Sequence, residues 1–179
     1  MSRDVWGWVG LVARAVTGGV WLVAGALKLP DPYESVRAVR AYDLLPEAVV
    51  PTVGHLLPVL EVVVGLALLL GLLTRGAAAV SALLFLAFVV GIASAWARGL
   101  EIDCGCFGGG GFEEGASAQY PWEIARDLAL LLLSLLLVRL RATPWSLDGV
   151  LLGRPSGSPD EVPDPDRARG HNHDPQHHP

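Results

Sequence analysis

Residues 48–97 read AVVPTVGHLLPVLEVVVGLALLLGLLTRGAAAVSALLFLAFVVGIASAWA. Two apolar runs, residues 48–73 and 77–97, flank the short break Thr74-Arg75-Gly76. Each run is close to the roughly 20 residues that a membrane-spanning helix needs. Neither alternates with the period of two that a barrel strand would show. The pattern predicts an antiparallel pair of membrane helices with its tight turn at Thr74-Arg75-Gly76. Runs of the same character occupy residues 5–27 and 122–140. The expected fold is therefore all-α, an integral membrane four-helix bundle.

Composition agrees. Of 179 residues 52% are hydrophobic and only 17% charged, with a mean hydropathy of +0.45; a soluble domain carries about 25% charged residues. The formal net charge of −5 leaves no basic stripe to neutralise phosphates, so a nucleic-acid partner is not expected. Ala24-Gly25-Ala26 fits a small-x-small cleavage site. The apolar stretch before it is too long for a signal peptide and is interrupted by Arg14, so a retained helix is expected. Beyond about Trp145 large apolar side chains become scarce. The chain divides into a transmembrane domain over residues 1–145 and a Pro/Asp/His-rich tail over residues 146–179, which is expected to be disordered. His171, His173, His177 and His178 in that tail offer metal ligands, but a solvated tail accounts for them and no bound metal is expected.

The loops carry the polar chemistry. Asp31, followed by Pro32 and Glu34, predicts a short capped helix with Tyr33, Val36, Val39 and Tyr42 on one face, lying on the membrane surface. Arg3, Arg75, Arg139 and Arg141 fall on the side of the termini, and Lys28, Arg37, Arg40 and Arg98 on the other. This near-balance leaves orientation to a second consideration: a cysteine pair used for oxidation belongs on the oxidising face. Termini cytoplasmic and cysteine loop extracytoplasmic is the expected topology of a multi-pass protein of the cell membrane. Trp6, Trp8 and Trp145 would mark one interface, Trp96 and Trp122 the other.

The only two cysteines lie in Asp103-Cys104-Gly105-Cys106-Phe107-Gly108. A one-residue spacing permits a small, strained and therefore oxidising disulfide. Gly105 widens the allowed dihedrals, and the glycines from Gly108 to Gly111 give a loop expected to open for a partner. Asp103 disfavours a thiolate at Cys104 unless a cation such as Arg98 or Arg126 offsets it. A structural disulfide and, less readily, half of a metal site are the competing readings.

Charges inside apolar runs are costly in lipid. Arg14 and Glu61 fall at depths of about 14 and 18 Å at about 1.5 Å per residue, so they are expected to pair near the membrane centre. That pair either fixes packing or relays protons. Gly18, Gly25 and Gly65 supply smooth faces for close approach. His55 either hydrogen-bonds a quinone carbonyl or, more ordinarily, a backbone carbonyl. Glu123 and Arg126 are spaced to pair on the fourth helix, and Arg126 is positioned to stabilise a thiolate or a quinone oxyanion.

Several of these residues resemble the DoxX-like superfamily: Gly25-Ala26-Leu27-Lys28-Leu29 with Pro30-Asp31-Pro32, Leu44-Leu45-Pro46, and Leu57-Pro58-Val59-Leu60-Glu61 with Gly65. The cysteine hexapeptide followed by Arg126-Asp127 resembles its methylamine-utilisation protein E (MauE) branch, over about residues 5–140. The resemblance implies a four-helix membrane protein linked to thioredoxin-like partners and to maturation of a disulfide-dense secreted enzyme. It also implies likeness to membrane oxidases that pass electrons from a dithiol to quinone. Two functions follow as expectations. One is a thiol–disulfide oxidoreductase with Cys104, Cys106 and Arg126 at its centre and His55, Arg14 and Glu61 toward a membrane quinone. Its partners are the bilayer and a thioredoxin-like or secreted dithiol protein. The other is a non-enzymatic assembly factor for a secreted disulfide-rich or metal-containing enzyme.

Overall fold

The computed structural model of the chain describes residues 3–106 and 108–140; the tail and its histidines, Trp145, Arg141 and Phe107 lie outside the described residues. Five α-helices follow in order: α1 (Arg3–Lys28), α2 (Pro32–Ala41), α3 (Val50–Leu70), α4 (Thr74–Ala97) and α5 (Tyr120–Arg139). Between α4 and α5 a two-stranded antiparallel hairpin, β1 (Ile102–Asp103) and β2 (Gly111–Phe112), pairs Ile102 with Phe112 and Asp103 with Gly111.

α1, α3 and α4 are long and apolar enough to cross a membrane. α5 has comparable length, but its first two turns carry Glu123, Arg126 and Asp127, so it lacks the apolar character of the other three. α1 packs along α3 and α5 along α4, whereas α3 and α4 touch sparsely beyond their connecting turn. That turn is Gly71-Leu72-Leu73 rather than Thr74-Arg75-Gly76. Gly71 takes the left-handed conformation (φ 69°), and the N–H of Leu72 returns to Ala67 O (2.9 Å) while that of Gly71 reaches Leu68 O (3.2 Å). This is a Schellman stop, which needs a glycine at its turning residue. Gly76 lies within α4.

Glycines set the α1–α3 contact. A Cβ on Gly65 would meet Leu22 N at 2.7 Å and Gly18 O at 2.9 Å, and one on Gly25 would meet Val62 Cγ2 at 2.7 Å and Pro58 O at 2.8 Å. The smooth faces read from the sequence are therefore in contact, backbone against backbone. On the opposite flank Trp21 stacks at 4.3 Å from Phe85, and its Nε1 donates to Ser81 Oγ (2.7 Å). Ser81 Oγ lies 2.9 Å from Ser134 Oγ, and Ser134 donates to Leu130 O, which ties α1, α4 and α5 together through buried hydroxyls.

The same register corrects the expected ion pair. Glu61 lies between Pro58 and Gly65, so it faces the part of α1 between Gly18 and Gly25, well past Arg14. Its partner is Lys28, with Nζ 2.6 Å from Glu61 Oε1 and relative exposures of 2% and 0%. Arg14 instead donates from Nε to Leu68 O (3.0 Å) and from Nη2 to Leu69 O (3.3 Å), bonding carbonyls at the end of α3. Depth counted from span ends missed this because the glycine contacts, not the span ends, align the two helices. Lys28 is correspondingly not a loop charge: its stem turns back into the bundle, 5.7 Å over the Phe88 ring.

α2 forms as expected, with Asp31 Oδ1 accepting from Tyr33 N (3.1 Å). Its inward face is not the expected one. Ser35, Val36 and Ala38 are buried while Tyr33 is exposed. Gly54 has no room for a Cβ against Val36 Cα (2.6 Å), so α2 is clamped on α3 rather than floating on a surface.

Removing one member of a buried ion pair strands its partner's charge, at a cost of about 3–5 kcal/mol, whereas replacing both with apolar residues is tolerated far better. Lys28→Met should therefore markedly lower the thermal unfolding midpoint of the detergent-solubilised chain, and Lys28→Met/Glu61→Leu should restore most of it. A single variant as stable as the parent would count against this pairing.

Candidate functional site

The β1–β2 hairpin closes a loop that carries both cysteines. Tyr120, at the start of α5, anchors it: its hydroxyl donates toward Leu100 O (2.9 Å) and Ile102 O (3.0 Å), and accepts from Ile102 N (3.0 Å). Asp103 Oδ1 accepts from Gly105 N (2.7 Å), turning the chain between the two cysteines. Gly109 N reaches Glu34 Oε2 on α2 (3.3 Å).

The glycines close the loop down. Gly105 and each residue from Gly108 to Gly111 have positive φ. A Cβ on Gly105 or on Gly110 would lie 2.6 Å from Ala38 Cβ. Their lack of side chains is thus required for two reasons, backbone conformation and close approach to α2. The sequence reading of these glycines as a means of opening sees only the first.

Both cysteines are free thiols, buried to 8% and 6% exposure in a cluster with Ile92, Ala116 and Tyr120. Cys106 N lies 3.3 Å from Cys104 Sγ, and Cys106 Sγ lies 4.0 Å from Cys104 O. Glu123 stands close enough for its charge to act on Cys104, and its Oε2 is buried without a protein partner. Arg126 Nε donates to Asp127 Oδ1 (2.9 Å), and its guanidinium is close enough for its charge to act on both sulfurs. Tyr42 covers the group from α2: its hydroxyl donates to Cys104 O (3.1 Å), and Arg98 Nη2 donates to Tyr42 O.

The structure therefore gathers Cys104, Cys106 and Arg126 at one place. It does not gather His55, Arg14 or Glu61 there. His55 is at an exposed position, its Nδ1 2.6 Å from Pro51 O one turn earlier in its own helix. Arg14 is at the far end of α3, and Glu61 reaches the site only through Lys28, which lines a small cavity with Cys104. Arg98 serves Tyr42, not the sulfurs. Two contributors were missed from sequence. Glu123 was expected beneath the cysteine loop but as the ion-pair partner of Arg126; its influence on Cys104 was not read. Tyr42 was read as part of a membrane-facing stripe. Among the described residues no three His, Cys, Asp or Glu side chains converge as a metal site needs.

These surroundings hold the Cys104 thiol protonated. Its hydrogen bond with Cys106, its burial, and then the charges expected on Cys106 and Glu123 all push its pKa well above the ordinary thiol value. Burial, and after it the neighbouring sulfurs, likewise pushes the Tyr42 phenol up. Because the thiolate is the form that attacks an alkylating reagent, a raised pKa delays reaction to higher pH. The iodoacetamide rate at Cys104, resolved from Cys106 by peptide fragmentation, should still be climbing above pH 9, where an exposed thiol of pKa about 8.5 has levelled. A plateau below pH 8 would contradict this environment.

Neither a curated protein nor a solved structure matches the chain. A family model does: residues 6–140, well over half of the sequence, match the family described as methylamine utilisation protein MauE. That match spans all five helices and the cysteine loop, and the three apolar helices place the chain in a bilayer. The chain belongs to the MauE family of membrane proteins.

Proposed function

We propose that the chain is a membrane thiol–disulfide oxidoreductase whose redox centre is Cys104 and Cys106, with a membrane quinone as electron acceptor. The observation that carries this reading is that two thiols lie side by side in one buried cluster, with Cys106 N 3.3 Å from Cys104 Sγ, and that the charges of Glu123 and Arg126 act on them. An inert pair of small apolar residues has no use for a buried carboxyl and a guanidinium; a pair that exchanges electrons and protons has use for both. In the first half-reaction the Cys104–Cys106 disulfide accepts two electrons from a partner dithiol, which becomes a disulfide. In the second, the two thiols pass two electrons and two protons to quinone, yielding hydroquinone and the restored disulfide. Glu123 takes the Cys104 proton, and Arg126 steadies the thiolate that remains.

In this reading α5 is the fourth span, with its charged first turns under the cysteine loop rather than in lipid. The termini are cytoplasmic and the loop is extracytoplasmic, where a thioredoxin-like or secreted dithiol protein meets it. The burial of Lys28 supports this orientation, because it removes one cation from the cysteine side and leaves Arg37, Arg40 and Arg98 there against Arg3, Arg75, Arg139 and Arg141. Of those three, Arg37 and Arg40 are paired with Glu34 and Glu47.

A second reading rests on the depth at which the loop is locked against Ala38. There the cysteines are a structural element of an assembly factor serving methylamine utilisation, as the family description suggests. One substitution separates the two. With reduced thioredoxin as donor and the full chain in quinone-containing nanodiscs, Cys106→Ser should abolish turnover, by at least about 100-fold, while the amount of folded protein in the membrane is unchanged. Loss of the protein itself would favour the structural element, and undiminished turnover would remove the cysteines from the reaction.

A further inference from the structure

α3 and α4 are joined at the cytoplasmic end of this topology by a tight turn and touch little beyond it. The gap between them is a cleft of about 300 Å³ lined by Val39, Tyr42, Leu57, Leu84, Phe88 and Gly91, among other apolar residues. That is the lower end of the volume range of small-molecule sites. Leu57 lies about two turns in from the start of α3 and Gly91 about two turns from the end of α4, so at about 1.5 Å per residue the cleft opens within the hydrocarbon layer, on the half nearer the cysteines.

Behind its inner wall lies a second, separate cavity of about 30 Å³, which shares Val39, Tyr42, Leu57 and Phe88 as lining and adds Lys28, Cys104 and Gly105. Tyr42 divides the two spaces. A Cβ on Gly91 would already meet the Tyr42 ring at 3.3 Å, so the ring rests on bare backbone of α4 while its hydroxyl bonds Cys104 O.

We infer that this cleft is the quinone site, with the ring against Tyr42 and the isoprenoid tail leaving between α3 and α4 into lipid. The inference rests on the dithiol reading above. Two thiols that form one disulfide give up two electrons and two protons, and the acceptor must be able to take both. The cleft that comes up to Tyr42 beside the thiols is apolar and faces lipid, so an acceptor using it is lipid-soluble. A quinone meets both conditions and leaves as the hydroquinone. The Lys28 ammonium, held on Glu61, lines the small cavity together with Cys104 and stands on the side toward which an oxyanion would develop. The site set read from sequence moves accordingly: Glu61 acts through Lys28, while His55 and Arg14 lie apart from the cleft lining.

The test uses the full chain in detergent, fully reduced, with decylubiquinone as acceptor and diamide as an oxidant that needs no site. Disulfide formation is followed by mass-shifting thiol capture. Gly91→Leu and, on the opposite lip, Val53→Trp fill the cleft. Each should slow quinone-driven oxidation at least about 10-fold and leave the diamide rate within about twofold; the second variant guards against misfolding of the first. If the parent chain responds to decylubiquinone and both filled variants respond equally well, the cleft assignment is overturned while the redox centre stands. If the parent is oxidised by diamide but never by quinone, the choice of acceptor falls, and the cleft with it. If diamide produces no Cys104–Cys106 disulfide, the dithiol reading itself fails.

Discussion

A lysine and a glutamate, both almost wholly removed from solvent, hold the outer half of this bundle together. Lys28 closes α1 and Glu61 sits midway along α3, and their contact brings a full charge pair beneath the cysteine loop. Placing two charges in an apolar interior is costly unless their geometry is good, and even then such a pair contributes less to stability than to uniqueness of arrangement. Here the arrangement follows from it and from the glycines beside it. With Gly18 and Gly25 set against α3, the chain leaves α1 where α2 can lie on Gly54, and α2 in turn presents Ala38 to Gly105 and Gly110. The thiols are thus positioned by a chain of close contacts that begins two helices away.

The site combines features that oppose one another. Burial and the neighbouring thiol keep Cys104 protonated, while the Arg126 charge favours the thiolate. In the proposed exchange this balance would keep the dithiol unreactive while α2 and Tyr42 cover it. The two carboxyls under the loop, Glu123 and Asp127, each keep one oxygen without a protein partner.

Much of the helical framework was legible in the sequence because lipid imposes a simple rule. Residues 5–27, 48–73, 77–97 and 122–140 each became a helix displaced by a few residues at most, and Asp31 capped α2 as its spacing with Pro32 and Glu34 required. The cysteine hexapeptide marked the candidate site. What could not be read was relative placement. Nothing local distinguishes a register that pairs Arg14 with Glu61 from one that pairs Lys28 with it; the choice is made by which glycines meet across the helices. Lys28 looked like a loop charge because it ends its helix, and only the fold shows its side chain turning inward. Tyr42 belonged to an amphipathic stripe whose apparent partner was lipid, while the true partner was the cysteine loop more than sixty residues away in sequence. The Gly71 stop was overlooked because the polar residues after it were more conspicuous.

On the proposed function, Cys104 and Cys106 interconvert between two thiols and one intramolecular disulfide. The direct measurement is to equilibrate the purified full chain with graded glutathione buffers, quench with acid, and weigh the peptide that carries both cysteines. A single two-electron transition to a peptide lighter by two hydrogens is expected. Thiols that stay reduced at every poise, or that couple only between chains, would contradict it.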